Sequence, residues 1–238
     1  MSTLDLPEEG KVHVWAASLD QPEQKVARLE ALLAADELER AYRFKFDRHR
    51  RRFIVGRGVL RSILGAYLGA DPKVLAFRYG EKGKPALEPG WRDELSFNLS
   101  HSSELALYGI GRNLELGIDV ERRRELEGAE DIAERFFSVP ERISLRAVPP
   151  ELKSDAFFNC WTRKEAYIKA TGDGLSMALD RFDVTLLPGE PARMLCADGD
   201  TDAARRWSMV HLEPAPGYVG ALAAPIPQVT VVTRDWPI

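Results

Sequence analysis

The chain has 238 residues, of which 45% are hydrophobic and 29% are charged, a balance typical of a soluble globular protein. Its 33 basic and 37 acidic side chains leave a formal net charge of -4, which disfavours a general nucleic-acid binder. Its two cysteines are too few for a disulfide framework, its N-terminus lacks the pattern of a signal peptide, and its most apolar stretch, 218–227, is too short to span a bilayer, so we expect a cytoplasmic protein without membrane partners.

The first half of the chain predicts one strand, three helices and four further strands. Asp36, with Glu39 three positions later, is expected to cap the second helix. A turn at 111–113 is expected to join the last two strands as a hairpin. The predicted strands are 12–16, 75–79, 95–100, 105–110 and 116–121, and the predicted helices are 22–35, one beginning at Asp36, and 48–68.

After Gly128 the order of helices followed by strands repeats. Cys160 lies in an apolar part of the last helix, where we expect a buried free thiol. The predicted helices are 129–137, 140–147 and 152–171, and the predicted strands are 181–187, 206–212 and 218–223. We therefore expect an α+β fold of two similar halves, residues 1–121 and 129–238, joined by a linker at 122–128.

Charge is distributed unevenly along the first half. Residues 1–39 carry nine acidic and three basic side chains, whereas residues 40–61 carry nine basic side chains and one acidic side chain, Asp47. One interpretation is a solvated helix face. The other is a bound polyanion, which would relieve the repulsion among the nine cations.

Two carboxylates lie side by side on the strand predicted at 116–121. Side chains alternate between the faces of a strand, so Asp119 and Glu121 share one face with Gly117, and the apolar residues share the other. A divalent cation would turn the repulsion between the two carboxylates into attraction, and oxygen ligands favour Mg²⁺ or Mn²⁺ over zinc. The alternative is a pair of solvated acids on an edge strand.

The long helix at 152–171 carries a second charged group. Trp161, Glu165 and Lys169 are four residues apart, so they lie along one face. On its own this pattern indicates no more than an ordinary pairing of Glu165 with Lys169. Glycines at 172 and 174 are expected to end the helix in a tight turn.

Two further segments carry polar groups suited to an anion. In the segment 97–102, Asn98 and Ser100 point to one face of a strand, and donors including His101 follow at its end. A nucleophilic pair of serine and histidine is disfavoured, because adjacent strand residues point apart and the G-x-S-x-G elbow is missing. The turn at 82–85 carries two lysines but lacks the Walker A pattern.

Four motifs in this order together resemble the Sfp-type 4′-phosphopantetheinyl transferases. They are GKP from residue 83, FNLSHS from residue 97, GIDVE from residue 117 and WTRKEAYIKATGDGLS from residue 161. The stretches ERRRELEGAEDIAERFFS and ALDRFDV also resemble that family. The resemblance is close over residues 36–187 and fainter elsewhere.

The resemblance implies a fold and a reaction. The fold is a pseudo-dimer of two α+β halves with coenzyme A in the cleft between them. The reaction moves the 4′-phosphopantetheine arm of coenzyme A onto a serine hydroxyl of an apo acyl or peptidyl carrier protein, and 3′,5′-ADP leaves. Asp119, Glu121 and Glu165 would hold Mg²⁺ (or Mn²⁺), and Glu165 is also a candidate base for the serine, directly or through water.

The same resemblance assigns contacts with coenzyme A. Lys169, Ser100 and His101 would contact its phosphates, with His101 at the 3′-phosphate, and Asp119 would act on the pyrophosphate through the metal ion. Arg52 and Arg57 match residues that contact the 3′-phosphate. Lys84 and Pro85 match residues beside the adenine end. In the early helix, where some members carry lysines, only Arg40 could replace them.

Two other functions compete with a transferase. A non-catalytic module that binds coenzyme A or a carrier protein does not need Asp119, Glu121 and Glu165 together, so the presence of all three favours the enzyme. A nucleic-acid binder that uses the arginines of 40–61 conflicts with the net charge of -4. We expect a monomeric enzyme that serves carrier proteins of fatty-acid, polyketide or non-ribosomal peptide synthesis.

Overall fold

The computed structural model describes residues 3–80, 83–92, 94–125, 128–172 and 177–238. Within them it confirms the predicted mixture of helices and antiparallel strands. The helices are α1 (Glu23–Glu30), α2 (Ala35–Tyr42), α3 (Asp47–Leu68), α4 (Ala129–Phe136), α5 (Val139–Ala147), α6 (Lys153–Thr171) and α7 (Thr201–Ala204). The strands are β1 (Lys11–Ser18), β2 (Phe77–Tyr79), β3 (Pro85–Leu87), β4 (Leu95–Ser102), β5 (Leu105–Arg112), β6 (Gly117–Arg122), β7 (Phe182–Val184), β8 (Met194–Ala197), β9 (Ser208–Leu212), β10 (Tyr218–Ala224) and β11 (Thr230–Asp235).

Two main sheets repeat one strand order. In the first, β5 lies between β1 and β4, and in the second, β10 lies between β6 and β9. All of these pairings are antiparallel. The last strand, β11, then returns to pair in parallel with β1. The arrangement agrees with the expected α+β fold of two similar halves.

Each main sheet packs against one long helix, and the two sheets pack against each other. Side chains of α3, including Val59 and Ile63, form one core with the first sheet, and side chains of α6, including Phe158, form another with the second. A third core lies between the sheets and contains Val14 of β1 and Ile118 of β6. Strand β1 is thus buried on both faces, which accounts for its nearly continuous apolar sequence.

Glycines end both long helices. Gly69 follows α3 with φ of 62°, and Gly172 follows α6 with φ of 80°. These are left-handed conformations that glycine adopts without steric cost, and they stop a helix. The expected helix-ending turn is therefore present at Gly172, while Asp173 and Gly174 lie outside the described residues.

Two local expectations were wrong. Helix α2 begins at Ala35, so Asp36 lies inside its first turn, and the carboxylate of Glu37 accepts the hydrogen bond of the Ala34 amide, 2.9 Å away. The predicted hairpin at 111–113 does not form, because β5 continues to Arg112 and β6 pairs with β10 instead. The hairpin of this region joins β4 to β5, whose pairing begins at Ser102 and Leu105.

The two sheets exchange strands across the expected division of the chain. Strand β6 precedes residue 122 in sequence for most of its length but pairs with β10, and β11 lies near the C-terminus but pairs with β1. The linker at 122–128 stays a prediction, and its residues 126 and 127 are outside the described part. Among the described residues, no helix combines the length and apolarity needed to cross a bilayer.

A close backbone contact joins β6 to α6. A Cβ atom at Gly117 would lie 2.0 Å from the carbonyl oxygen of Ala166 and 2.3 Å from the amide nitrogen of Ala170. Because neither backbone atom can move independently, only glycine fits at this position. The contact brings the face of β6 that carries Asp119 against the last two turns of α6.

We predict that Gly117→Ala destabilises the protein by at least about 1–3 kcal/mol, the usual cost of overpacking a well-packed interior. Urea denaturation measures the loss. Gly109→Ala on β5 is the matched control, since its Cβ would meet the flexible end of Leu116 at 2.7 Å rather than backbone. Equal losses in the two variants would contradict the contact as the cause.

Candidate active site

A row of polar side chains on β4 faces the carboxylates of β6. The amide oxygen of Asn98 accepts a hydrogen bond from the Ile118 backbone N–H at 3.0 Å. Two positions on, the Ser100 hydroxyl donates to Asp119 at 2.7 Å, and after two more the Ser102 hydroxyl donates to Glu121 at 2.6 Å. The alternation of β4 therefore presents polar groups to the polar face of β6, across the gap between the two sheets.

Asp119 is buried, with 4% of its surface exposed. Its Oδ1 atom accepts hydrogen bonds from Ser100 and from the Lys169 ammonium, which is 2.6 Å away. Its Oδ2 atom is also buried and, among the described residues, has no hydrogen-bond partner. The alternative of solvated acids on an edge strand is thus wrong for Asp119, whose unpartnered oxygen points to a missing positive or hydrogen-bonding group.

Lys169 bridges the two halves. Its ammonium donates to the Ser100 hydroxyl at 2.8 Å and forms an ion pair with Asp119. The interpretation of Lys169 as an ordinary helix partner of Glu165 is therefore wrong, because the lysine reaches from α6 to the face of β6.

The two glutamates of the site are harder to ionise than ordinary glutamates. Burial is the main reason that the pKa of Glu165 is raised, and the negative charge of Asp119 raises it further, while Lys169 lowers it in part. Burial also raises the pKa of Glu121, and the Ser102 hydrogen bond opposes that change. Glu121 and Glu165 thus carry negative charges that are unfavourable where they stand.

These acids line a cavity of about 840 Å³ that we call the acidic pocket. One part of its lining is apolar and comes from α4, α6 and the segment that follows α6. As they stand, no three histidine, cysteine, aspartate or glutamate side chains of the described residues are grouped closely enough to enclose a metal ion. The acidic lining consists of Asp119, Glu121, Glu165 and Asp180, and the apolar lining includes Phe136, Trp161, Met177 and Leu179.

A second cavity, of about 340 Å³, adjoins the first, and we call it the basic pocket. The two pockets share Leu99, His101 and Lys169. The polar lining of the basic pocket includes Arg40, Arg52, Arg57, Lys84, His101 and Lys169. Flat and apolar groups complete it, among them Phe53, Tyr79, Pro85, Tyr108 and Ile168.

Two arginines of this pocket already have acidic partners. Asp20 accepts two hydrogen bonds from Arg52, at 2.7 and 2.6 Å, and their contact lowers the pKa of the Asp20 carboxyl. Arg57 is buried, pairs with Glu37, and lies over the Phe77 ring with its guanidinium carbon 4.5 Å from the ring centre. Both arginines are therefore held in fixed positions at the pocket wall.

The remaining predicted residues lie along the same cleft. Lys84 and Pro85 line the basic pocket, and the Lys84 ammonium pairs with Glu115 at 3.2 Å. His101 is exposed at the junction of the two pockets, and Ser100 lies in the acidic pocket. The structure thus brings all ten residues singled out from the sequence into two adjoining pockets, while Lys82 of the same turn lies outside the described residues.

The structure also accounts for the uneven charge of the first half. Six of the nine cations in 40–61 form ion pairs. Two of them pair with Glu37, three pair with other acids of 1–39, and one pairs with Asp47. The repulsion expected among these cations is therefore relieved largely within the protein. Arg40 lines the basic pocket and forms no ion pair with the described residues, so it is the cation of this segment best placed to meet a bound polyanion.

Sequence reasoning missed several residues of the site. Ser102 carried a usable signal, because it continues the alternation of Asn98 and Ser100. The sequence pattern placed Gly117 on the polar face of β6 but did not reveal its contact with α6. The apolar lining at Met177 and Leu179 follows the end of α6, and no local pattern marks it as part of a pocket.

Two protein-family models match the chain. The model described as the 4′-phosphopantetheinyl transferase superfamily matches residues 115–223. The model described as the N-terminal part of a 4′-phosphopantetheinyl transferase matches residues 15–109. Together the matched ranges contain every predicted site residue.

Two 4′-phosphopantetheinyl transferases are similar to this chain over most of their length. The 4′-phosphopantetheinyl transferase HetI of Nostoc sp. is 45% identical over 214 residues, which cover 90% of this chain and 87% of that protein. The 4′-phosphopantetheinyl transferase Sfp of Bacillus subtilis is 30% identical over 73% of this chain and 76% of its own. The crystal structure of Thermotoga maritima holo-[acyl-carrier-protein] synthase aligns with 48% of this chain and 64% of its own, with a TM-score of 0.37 and 20% identity.

We predict that Glu165→Gln, studied with a chelator present, is more stable than the wild type at neutral pH. The raised pKa of Glu165 means that the folded protein binds this proton more tightly than the unfolded chain. The stability that Glu165 contributes is therefore present at low pH and is lost as the pH rises from the ordinary glutamate pKa through the raised value. The variant's advantage should grow over that window and then level off.

Urea denaturation at a series of pH values measures this difference. Glu130→Gln is the control of opposite sign, because the hydrogen bond from Lys153 lowers the pKa of the exposed Glu130. Its loss should leave stability unchanged or lower at neutral pH. A Glu165→Gln variant that is less stable than the wild type above the raised pKa would show that the carboxylate is stabilised where it stands.

Proposed function

This chain belongs to the 4′-phosphopantetheinyl transferase superfamily, and we propose that it transfers the 4′-phosphopantetheine arm of coenzyme A to a serine hydroxyl of an apo acyl or peptidyl carrier protein. A bond forms between the serine oxygen and a phosphorus of the pyrophosphate, the bond from that phosphorus to the bridging oxygen breaks, and 3′,5′-ADP leaves. One chain supplies both pockets, which supports a monomeric enzyme. A cytoplasmic location is part of the same proposal.

The observation that carries this function is the junction of a basic pocket with an acidic one at Lys169. The basic pocket combines several cations with flat aromatic groups, the chemistry that suits a phosphorylated nucleotide. The acidic pocket continues from it beyond Lys169, with an apolar lining on one part. A ligand with a nucleotide at one end, phosphates in the middle and a longer arm at the other matches that sequence of surfaces.

The donors of the acidic pocket fit Mg²⁺ or Mn²⁺. They are carboxylate oxygens, one of which, on Asp119, is buried without a partner among the described residues. Mg²⁺ keeps several waters and is commonly held by one or two carboxylates plus phosphates of the substrate, so it needs no enclosing set of protein ligands. Asp119, Glu121 and Glu165 would hold it, and when bound it would neutralise charge on the pyrophosphate.

The side chains of the cleft supply the remaining chemistry. Lys169 donates hydrogen bonds at the junction of the pockets, where it would stabilise the charge that develops on the departing oxygen. Glu165, with its raised pKa, is suited to accept the proton of the serine hydroxyl, directly or through water. His101, exposed at the junction, and Arg52 would contact the 3′-phosphate.

An assay of carrier modification tests the proposal. The protein is incubated with coenzyme A, Mg²⁺ and an apo carrier protein, and intact mass shows whether the carrier gains the arm. We expect transfer by the wild type and almost none by Asp119→Asn, which keeps the size of the side chain but removes its charge. A non-catalytic binding module would retain coenzyme A or the carrier yet leave the mass of the carrier unchanged.

We predict that Arg52→Ala raises the KM for coenzyme A roughly 10- to 100-fold with little change in kcat, since a hydrogen bond to a charged group is worth about 1.5–3 kcal/mol. A 3′-phosphate lies away from the reacting phosphorus and is bound equally in ground and transition states. Arg51→Ala is the matched control, because Arg51 pairs with Glu23 beside the pocket without lining it. With 3′-dephospho-coenzyme A as substrate the two variants should behave alike, and a persisting difference would contradict this contact.

A further inference from the structure

Lys164 is a fully buried cation that the proposed chemistry does not use. None of its surface is exposed, although it directly precedes Glu165 in α6. Its ammonium donates to the carbonyl oxygens of Leu179 and Phe182, at 2.7 and 2.6 Å, and pairs with Glu141 at 2.8 Å. These three acceptors use all three donors of a lysine, so the buried charge is fully satisfied.

Glu141, the partner of Lys164, is 2% exposed and also binds backbone on two sides. One of its carboxylate oxygens accepts from the Ser138 amide at 2.9 Å and so caps the start of α5. The other accepts from the Val184 amide of β7 at 2.8 Å. The ion pair therefore ties α6 to α5, to β7 and to the segment 177–182, which we call the wall segment.

The wall segment is part of the acidic pocket. Met177, Leu179 and Asp180 line that pocket together with Glu165, and the backbone that carries them is held by Lys164 at Leu179 and Phe182. Successive residues of a helix point about 100° apart, so Lys164 turns inward to the wall segment while Glu165 faces the pocket. The distance between the Glu165 carboxylate and the opposite wall thus depends on the Lys164 contacts.

The first half contains the same arrangement. Glu37 caps the start of α2 and pairs with the buried Arg61 of α3, Nε to Oε2 2.6 Å. Arg61 then donates to the carbonyl oxygens of Pro72 and Leu75, at 2.8 and 3.0 Å. In both halves the buried cation lies eight residues before the glycine that ends the long helix. Pro72 and Leu75, however, line neither pocket.

We propose that Lys164 is a positioning residue for the transfer reaction: through Glu141 and the two carbonyl groups it holds the wall segment at a fixed place relative to Glu165. This inference rests on the proposed function. The proposed role distinguishes Lys164 from Arg61. Arg61 is also buried and also donates to two carbonyl groups, but the turn that it holds lies outside the pockets.

The test uses variants that separate positioning from folding. Lys164→Met alone leaves the Glu141 charge buried and unpaired, which is strongly destabilising. The double variant Lys164→Met with Glu141→Gln removes both charges, so the fold should recover while the two carbonyl groups of the wall segment stay unheld. Arg61→Met is the matched control, because Glu37 keeps its pair with Arg57 in that variant.

We expect the double variant to melt above Lys164→Met alone and, at a temperature where it is folded, to lose roughly 10²-fold in kcat, the scale of loss for a misplacement of about 1 Å, with the KM for coenzyme A almost unchanged. Amides of 177–184 should exchange with solvent faster than in the wild type. Arg61→Met should keep the wild-type kcat. Recovery of kcat together with the melting temperature in the double variant, or an equal loss in Arg61→Met, would overturn the proposal.

If the double variant does not fold, Lys164→Arg replaces it in the test, because this substitution keeps a positive charge beside Glu141. The larger guanidinium cannot reach the same three acceptors in the same space, so we again expect faster exchange in 177–184 and a lower kcat. Unchanged exchange or unchanged kcat would overturn the proposal. A wild-type protein that transfers nothing would instead refute the proposed function, and the exchange data would still test whether Lys164 holds the wall segment.

Discussion

The hydrogen-bonded group of Ser100, Asp119 and Lys169 joins β4 of the first sheet to β6 of the second sheet and to α6. Asp119 is almost fully buried, so its charge requires a partner, and that partner comes from α6, one turn beyond Glu165. The approach is possible because Gly117 lets the backbone of β6 touch the backbone of α6. Since the basic and acidic pockets meet at Lys169, their relative position depends on this contact.

The unfavourable free energy of placing carboxyl groups in the acidic pocket explains which side chains surround them. Three carboxyl groups lie in a partly dry cleft, and both glutamates have raised pKa values there. Ser100 and Ser102 offset part of the unfavourable charge through hydrogen bonds from β4. Such an arrangement weakens the fold locally and leaves negative charge unbalanced, which is the compromise expected of a site rather than of a structural core.

Local patterns predicted the parts of the structure that depend on local physics. The helix at 48–68 and the polar face of β6 follow from residue spacing, and the motif match then indicated which polar residues would share a cleft. The partners of Arg52 and Arg57 were not predictable, because Asp20 and Glu37 come from distant parts of the chain. The hairpin error at 111–113 has the same origin, since a turn signal does not reveal which strand lies beside the next one.

The two halves place different chemistry on equivalent scaffolds. When the buried cations Arg61 and Lys164 are taken as equivalent, Glu165 corresponds to Ser62, and Lys169 to Ala66. Ser62 is buried and donates to a carbonyl of its own helix, so α3 has no reacting group at these positions. Four residues before each buried cation, the charged residue lies in α3 instead. There Arg57 of the basic pocket corresponds to the buried, uncharged Cys160 of α6. The repeated ion pairs keep both long helices in place, and on this common support one helix lines the basic pocket with Arg57 while the other brings Glu165 and Lys169 to the acidic pocket.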